Sequence, residues 1–502
     1  MQSSGELQIG VSRPPLPLAD LPTPEEVFGV PRFDAWTVIR YVLGPSTIAL
    51  GVAIGSGEWL LGPLGFATYG FMGLGFVVTM SAVLQTFYNI ENARYTMATG
   101  EVPAIGFARM PPGVRFWVPL TFALMCLVWL WGGWAATAGQ SIFALFAGRT
   151  FDRGSPQELL EVRFIGVGLL VLSLVIYLFG RKIARTLELI ETVTLFFILA
   201  SVVVLAIVFA PAALWGTMLA SAVTPAAPPR GIDATALGAI VGFTGSGSGM
   251  NFMLVNYYRD HGYGMGHRVG FLSGLIGGRK QDVLPSGVTF RETEANARTW
   301  RRWFRYLVID QWAVFFSGAM VGMFVPSVLA VSLATAPGAA KPTTANMPVF
   351  VAAELGRSAP WLFTFTLLLG ALLLWKTQTT ILEMLVRNMT DVALSVSPRL
   401  RAWIGHDPRK FYYLMAVVLV TVIGVLMFQA LPTQLLQVSA NLTNLAAMIF
   451  PFVLIYLNRR LPRPARAPWW SYVVLLANVL FFGFFFVNFL AVQLTGTPLV
   501  VF

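Results

Sequence analysis

Long apolar runs, each about the length of a membrane crossing, recur along the chain and are separated by short clusters of arginine, glycine and proline. A transmembrane helix needs ~20 mainly apolar residues. By that measure the chain predicts eleven spans, at 36–70, 72–98, 114–147, 163–180, 186–212, 234–257, 304–332, 359–386, 411–430, 433–457 and 469–493. Most are continuous Leu/Val/Phe runs, whose simplest role is bundle packing. The first and sixth are not: one holds Gly55-Ser56-Gly57-Glu58, the other Gly245-Ser246-Gly247-Ser248-Gly249. Glycine costs ~1 kcal/mol relative to alanine in a helix interior, so each cluster predicts unwinding. Unwound backbone at bilayer depth survives only where protein or a water-filled cavity satisfies it. Close helix packing is the other use of small residues, but it spaces them by four, whereas these alternate. Paired breaks at matching places in two halves are the mark of an inverted repeat with its substrate at the midplane. The expected architecture is an all-α polytopic membrane protein with a 5+5 inverted repeat: helices one to five in 36–212, six to ten in 213–457, and an eleventh in 458–502.

Composition agrees. Of 502 residues, 56% are hydrophobic and only 11% charged, less than half the ~25% charged share of soluble domains. That excludes a cytosolic enzyme, a secreted disulfide scaffold and a disordered protein. The single cysteine, Cys126, has no partner for a disulfide. The net charge of +11 is a matter of sidedness. With the N-terminus inside, 27 of the 34 basic residues fall in cytoplasmic segments, nine of them in or at the edge of the loop 258–303. Positive charge marks the cytoplasmic side, so nucleic acid is not an expected partner, and eleven spans place the C-terminus opposite. Residues 1–35, rich in proline and acids, read as a cytoplasmic tail. The stretch 290–306, with Phe290, Trp300, Trp303 and Phe304 among arginines, reads either as an amphipathic helix on the inner leaflet or as a solvated basic loop.

Further residues carry a resemblance. Gly44-Pro45 at the start of span one, Gln85 with Asn92-Ala93-Arg94 and Thr99-Gly100-Glu101 in span two, and Glu191 in span five are part of it. Lys376-Thr377-Gln378-Thr379-Thr380 in span eight, and Gln437-Val438-Ser439 through Pro451-Phe452 to Asn458-Arg459-Arg460 in span ten, complete it. In order and spacing these resemble the Nramp family of divalent-metal transporters, within the amino acid–polyamine–organocation superfamily. The resemblance implies a leucine-transporter-like fold, a transported metal and no cofactor. The chain departs from the family at the metal site. Where the family has Asp-Pro-Gly-Asn, this chain has Gly55-Ser56-Gly57-Glu58; where it has Met-Pro-His, alignment on Asn251 puts Ser248-Gly249-Met250. The family's acidic pair of span three aligns with Gly133 and Ala136. His261, His267 and His406 all fall in expected cytoplasmic loops. Oxygen donors alone suit a hard ion such as Mg²⁺ better than Mn²⁺ or Fe²⁺.

Charges at bilayer depth are functional candidates by default. Glu58 follows the first break, where it would meet a cation or a proton, or else stabilise the second half-helix through its dipole. Lys376 would stand where sodium-coupled relatives place an ion between spans one and eight, or else snorkel to an interface. Glu91 and Arg94, three apart, form a helix-face pair or a proton relay. Asp310, Glu383 and Asp391 read as interfacial, and Gln378 and Asn441 as cavity contacts or helix–helix hydrogen bonds. The candidate site is therefore Gly55, Ser56, Glu58, Gly245, Ser246, Ser248 and Gln378 for the substrate, with Glu58 as metal ligand. Lys376, Glu91 and Arg94 are the candidate charge relay. The leading expectation is a monomeric Nramp-like secondary transporter for a divalent cation, hard ion favoured, proton linkage included. The alternative is a carrier of an amino acid or other small organic solute, since Ile54-Gly55-Ser56-Gly57 also resembles the span-one loop of amino acid permeases. An intramembrane enzyme is not expected: the sequence has no His-Glu-x-x-His, no histidine in a span, and no base beside Cys126.

Overall fold

A computed structural model describes residues 16–31, 33–39, 46, 50–51, 54–178, 183–269, 287–344, 346–405 and 409–502; for 177–178 and 183–192 it describes the backbone alone. The expected positions Gly44, Pro45, Ala53 and His406, and the side chain of Glu191, lie outside the described residues. The architecture is almost wholly helical. Among the described residues, seven helices are long and apolar enough to cross a membrane: Val114–Ala147, Pro156–Ile176, Glu294–Ala334, Pro360–Val396, Arg409–Leu426, Pro432–Asn458 and Trp469–Thr495. An eighth is the bent pair Val193–Phe209 and Ala212–Val223, which turns by 119°. Leu74–Thr99 is span two, less apolar because its second half buries Gln85, Asn89, Glu91, Asn92 and Arg94 inside the protein. Spans one and six complete the eleven, and both are broken.

Local chemistry sets the ends. Pro360 and Pro432 stand in the first turns of their helices, where a missing N–H costs nothing. Gly100 and Gly496 close theirs in the left-handed conformation, which glycine adopts without strain. Large apolar side chains such as Leu480, Leu494, Val208 and Phe146 remain exposed, as expected of a lipid-facing surface, while one continuous apolar core joins the spans inside.

The stretch 290–306 differs from expectation. Residues 290–303 are neither a loose loop nor a helix laid on lipid. Helix begins at Glu294, capped by Thr293, and runs on into span seven. Its tryptophans face protein: Trp300 and Trp303 are buried, and the Trp303 indole donates to the Pro22 carbonyl (2.7 Å). The N-terminal segment supplies that cover. Leu18–Ala19 pairs in parallel with Thr289–Phe290, the Leu21 N–H donates to Asn296 (3.1 Å), and the short helix Pro24–Phe28 is closed by a Thr23/Glu26 capping box. The aromatic residues that suggested a membrane face are instead the floor of a docked tail.

Span three also departs from a plain rod. Helix stops at Trp129 and resumes at Gly133, with Gly132 left-handed at φ +67°. The interruption carries Trp129 and Trp134 on either side.

Candidate functional site

In span one the chain bends at Ile54-Gly55 and resumes as a wide π-type turn over Gly57–Leu61, followed by helix Gly62–Tyr69. Such turns recur at functional sites. In span six, helix Ala234–Gly242 ends, the backbone is irregular from Phe243 to Met250, and helix returns only in short pieces from Asn251. Gly245 and Gly247 sit at φ +86° and +83°, conformations that residues with a Cβ rarely adopt. The two breaks touch. A Cβ on Gly57 would stand 2.4 Å from the Phe243 carbonyl oxygen, so glycine is what allows one unwound segment to lie on the other.

Glu58 fastens this crossing. One carboxylate oxygen accepts the Gly55 N–H (3.2 Å) and the other the Gly245 N–H (3.2 Å), and the side chain is buried. Gln85 of span two holds the second break from behind: its amide donates to the Thr244 carbonyl and accepts the Ser246 N–H (3.3 Å). The freed backbone groups are thus met by side chains, as an unwound segment in a membrane requires.

Between the breaks lies a small, partly open cavity. Ser56 and Gly57 come from span one, Phe243 and Gly245-Ser246-Gly247 from span six, Trp129 and Trp134 from span three, and Thr377 and Ile381 from span eight. The three aromatic rings form one wall: Trp129 and Phe243 are nearly parallel (4°, centroids 6.2 Å apart), and Trp134 lies 5.6 Å from Trp129 and 5.4 Å from Phe243. Among the described residues, no charged side chain lines this space. Among the described residues no three His, Cys, Asp or Glu side chains are grouped to hold a metal.

The expected site residues therefore divide. Ser56, Gly245 and Ser246 line the cavity, and Gly55 and Glu58 stand directly behind it. Ser248 turns away, its hydroxyl 3.0 Å from both Thr443 and Asn444 of span ten. Gln378 is fully buried with both amide atoms unpartnered, one residue beyond Thr377 and outside the cavity wall. Asn441 makes a helix–helix bond, donating to the Thr235 carbonyl (3.1 Å). Lys376 does not snorkel: it is buried midway along its 37-residue helix, and its Nζ would lie 3.3 Å from a Cβ on Gly51 of span one. Glu91 and Arg94 form a buried bidentate pair (2.9 and 3.0 Å). Its remaining valences go to Asn458, the Ala465 carbonyl and the Phe304 ring, none of them on the cavity.

Two acids placed at interfaces by the sequence are buried. Asp391 pairs with Arg259 (2.8 Å). Asp310 is fully buried and accepts hydrogen bonds from the Ser46 hydroxyl (2.7 Å) and the Tyr258 phenol. It lies deeper because its helix starts at Glu294 instead of near 304. With Gln311 donating to both Tyr258 (2.8 Å) and Ser46 (3.0 Å), it ties span one, the far half of span six and span seven together. Only Glu383 keeps substantial exposure among the three.

No protein-family model matches the sequence, and no curated protein matches it. Solved structures do. The manganese transporter of Eremococcus coleocola, in complex with an aromatic bis-isothiourea substituted compound, aligns over 96% of this chain and 92% of its own at 17% identity, with a TM-score of 0.63. Mhp1, a nucleobase-cation-symport-1 family transporter in a closed conformation with bromovinylhydantoin bound, aligns over 90% and 93% at 15% identity and a TM-score of 0.51. The fold is leucine-transporter-like. The alignment covers nearly the whole length of each neighbour. Fold and membrane class therefore stand as expected, whereas at these identities the match says nothing of cargo.

Proposed function

We propose that this protein is an alternating-access secondary transporter whose cargo sits between spans one, three, six and eight. The observation that carries the reading is the convergence of two glycine-unwound segments on one small cavity. A cavity walled by half-helix ends can open to one side or the other as the halves rock. In this reading 36–212 and 213–457 are the rocking repeats. The chain works as a monomer in the bilayer with its N-terminus in the cytoplasm, and Glu58 and Lys376 link transport to protons.

The lining favours a small organic solute over a metal ion. A dication needs several oxygen donors at close range, and among the described residues the one carboxylate beside the cavity, that of Glu58, has an N–H on each oxygen. The divalent-cation reading rests on that same carboxylate standing where the breaks meet, and on the fold match to a manganese transporter. Reconstitution in proteoliposomes tests both. Solute counterflow, or dye-reported entry of Mg²⁺ or Mn²⁺, is the expected result. Liposomes that exchange neither organic solutes nor divalent ions would refute the carrier reading.

A further inference from the structure

The cavity wall has a chemical sense. Ser56 and Trp129 both line it, both are at least nine-tenths buried, and the Ser56 hydroxyl and the Trp129 indole N–H have no hydrogen-bond partner among the described residues. A buried polar group left unmet costs about 1–3 kcal/mol, and native proteins rarely leave one without a use. An indole nitrogen can only donate, so what completes Trp129 must carry an acceptor. The rest of the wall is the flat aromatic surface of Trp129, Trp134 and Phe243, on which flat unsaturated groups stack in offset or tilted contact. Among the described residues, no side chain of net charge lines the space.

Taking the carrier reading as its basis, the geometry points to a cargo of one chemical class: a planar, carbonyl-bearing, net-neutral organic molecule. Its ring lies on the Trp129/Trp134/Phe243 wall, and its carbonyl oxygen accepts from the Trp129 N–H, with the Ser56 hydroxyl as second polar contact. Two other cargoes meet this wall badly. A divalent cation would face an N–H donor and aromatic carbon where it needs oxygen. A quaternary ammonium ion would gain from the ring faces, yet would leave the Trp129 donor unmet, since it has no acceptor to offer.

The experiment uses the full-length chain purified in detergent, with six probes: uracil, nicotinamide, choline, L-alanine, MgCl₂ and MnCl₂. Thermal stabilisation and quenching of intrinsic tryptophan fluorescence by uracil or nicotinamide are expected, in preference to the other four. Trp129→Phe keeps a ring and removes the N–H, and Ser56→Ala removes the hydroxyl. Each should weaken binding of the planar probe about three- to tenfold without lowering the melting temperature of the unliganded protein. Preference for choline, alanine or a metal ion overturns the assignment. So does binding of none of the six, or a Trp129→Phe variant that binds as tightly as the parent. Counterflow in proteoliposomes separates this from the wider reading: exchange of alanine or Mn²⁺ alone would keep the carrier and discard the planar cargo, whereas no exchange at all would remove the carrier.

Discussion

Glu58→Gln changes one oxygen into an NH₂ group and little else. Both oxygens now accept backbone N–H groups, from Gly55 on its own break and from Gly245 on the other. A glutamine can serve only one of them; its amide nitrogen must face the other N–H, donor to donor. If the oxygen stays with Gly55, the bond that crosses between the breaks is the one lost. A hydrogen bond to a charged group contributes ~1.5–3 kcal/mol, and a stranded buried N–H costs a comparable amount, so the crossing weakens by about 2 kcal/mol or more. In a protein that alternates between states, this is a roughly thirtyfold change in the ratio of arrangements with the breaks together to those with them apart. Net transport in proteoliposomes should fall by at least tenfold, because one half of the cycle becomes poorly populated. The protein should still insert and purify, since the surrounding core is untouched. Glu58→Asp, one methylene shorter, should also fail to span both N–H groups. Parental transport and parental melting temperature in the glutamine variant would show that the two bonds to Gly55 and Gly245 do not govern the cycle.

Gly57→Ala drives a methyl group against the Phe243 carbonyl oxygen at 2.4 Å; an overpacking cost of ~1–3 kcal/mol should lower the melting temperature in detergent and reduce flux, whereas an unchanged melting curve would mean the breaks do not touch. Lys376→Met keeps the length and apolar stem of a buried side chain but removes its charge, and should change the pH profile of uptake more than the yield of inserted protein; an unaltered profile would remove Lys376 from coupling. Asp310→Asn weakens the acceptor that gathers Ser46 and Tyr258, and should lower thermal stability and slow transport; rates and melting temperature equal to the parent's would make the network incidental. At the docked N-terminal segment, burial pushes the Glu25 carboxyl up, but the Arg302 guanidinium, with hydrogen bonds from the backbone and Thr23, more than offsets it and holds the group below the usual carboxylate range. A carboxylate so depressed helps docking above its unfolded pKa and loses that help as pH falls through the folded one. Limited proteolysis of residues 16–31 should therefore speed up in mild acid, modestly, since a part-exposed ion pair is worth under ~1 kcal/mol; equal cleavage across that range would assign the docking to Trp303 and the strand pair alone.

What was legible in the sequence was whatever leaves a local mark. Runs of leucine and valine gave the spans, because length and hydropathy alone decide what crosses a bilayer. Glycine alternating with serine in two otherwise apolar runs gave the breaks, because its backbone preferences are local. The stretch 290–306 misled for a related reason: its aromatic and basic pattern is the same whether the apolar face meets lipid or the chain's own N-terminal segment, and only the pairing of Leu18–Ala19 with Thr289–Phe290 tells them apart. Asp310 misled because its depth depends on where its helix starts, and the Thr293 cap sits eleven residues before the expected 304.

The cavity wall is the part the chain conceals, and the concealment has a physical basis. Trp129 and Trp134 are two of fifteen tryptophans, and nothing in the run Trp129-Leu130-Trp131-Gly132-Gly133-Trp134 says which indoles face inward. A continuous helix advances 100° per residue, so positions 129 and 134 would lie 500° apart, which is 140° round the axis and nearly on opposite faces. They can share one wall only because the helix stops at Trp129 and restarts at Gly133, with Gly132 at φ +67°. The adjacent glycines Gly132 and Gly133 were the available signal. Aligning the chain with a metal-transporter pattern directed attention to the acids and amides of spans one and six. Two of the three aromatic rings of the cavity wall, Trp129 and Trp134, stand on span three. A Cβ on Gly133 would lie 2.8 Å from Leu436 of span ten, so the glycine that restarts the helix also lets span three close on span ten.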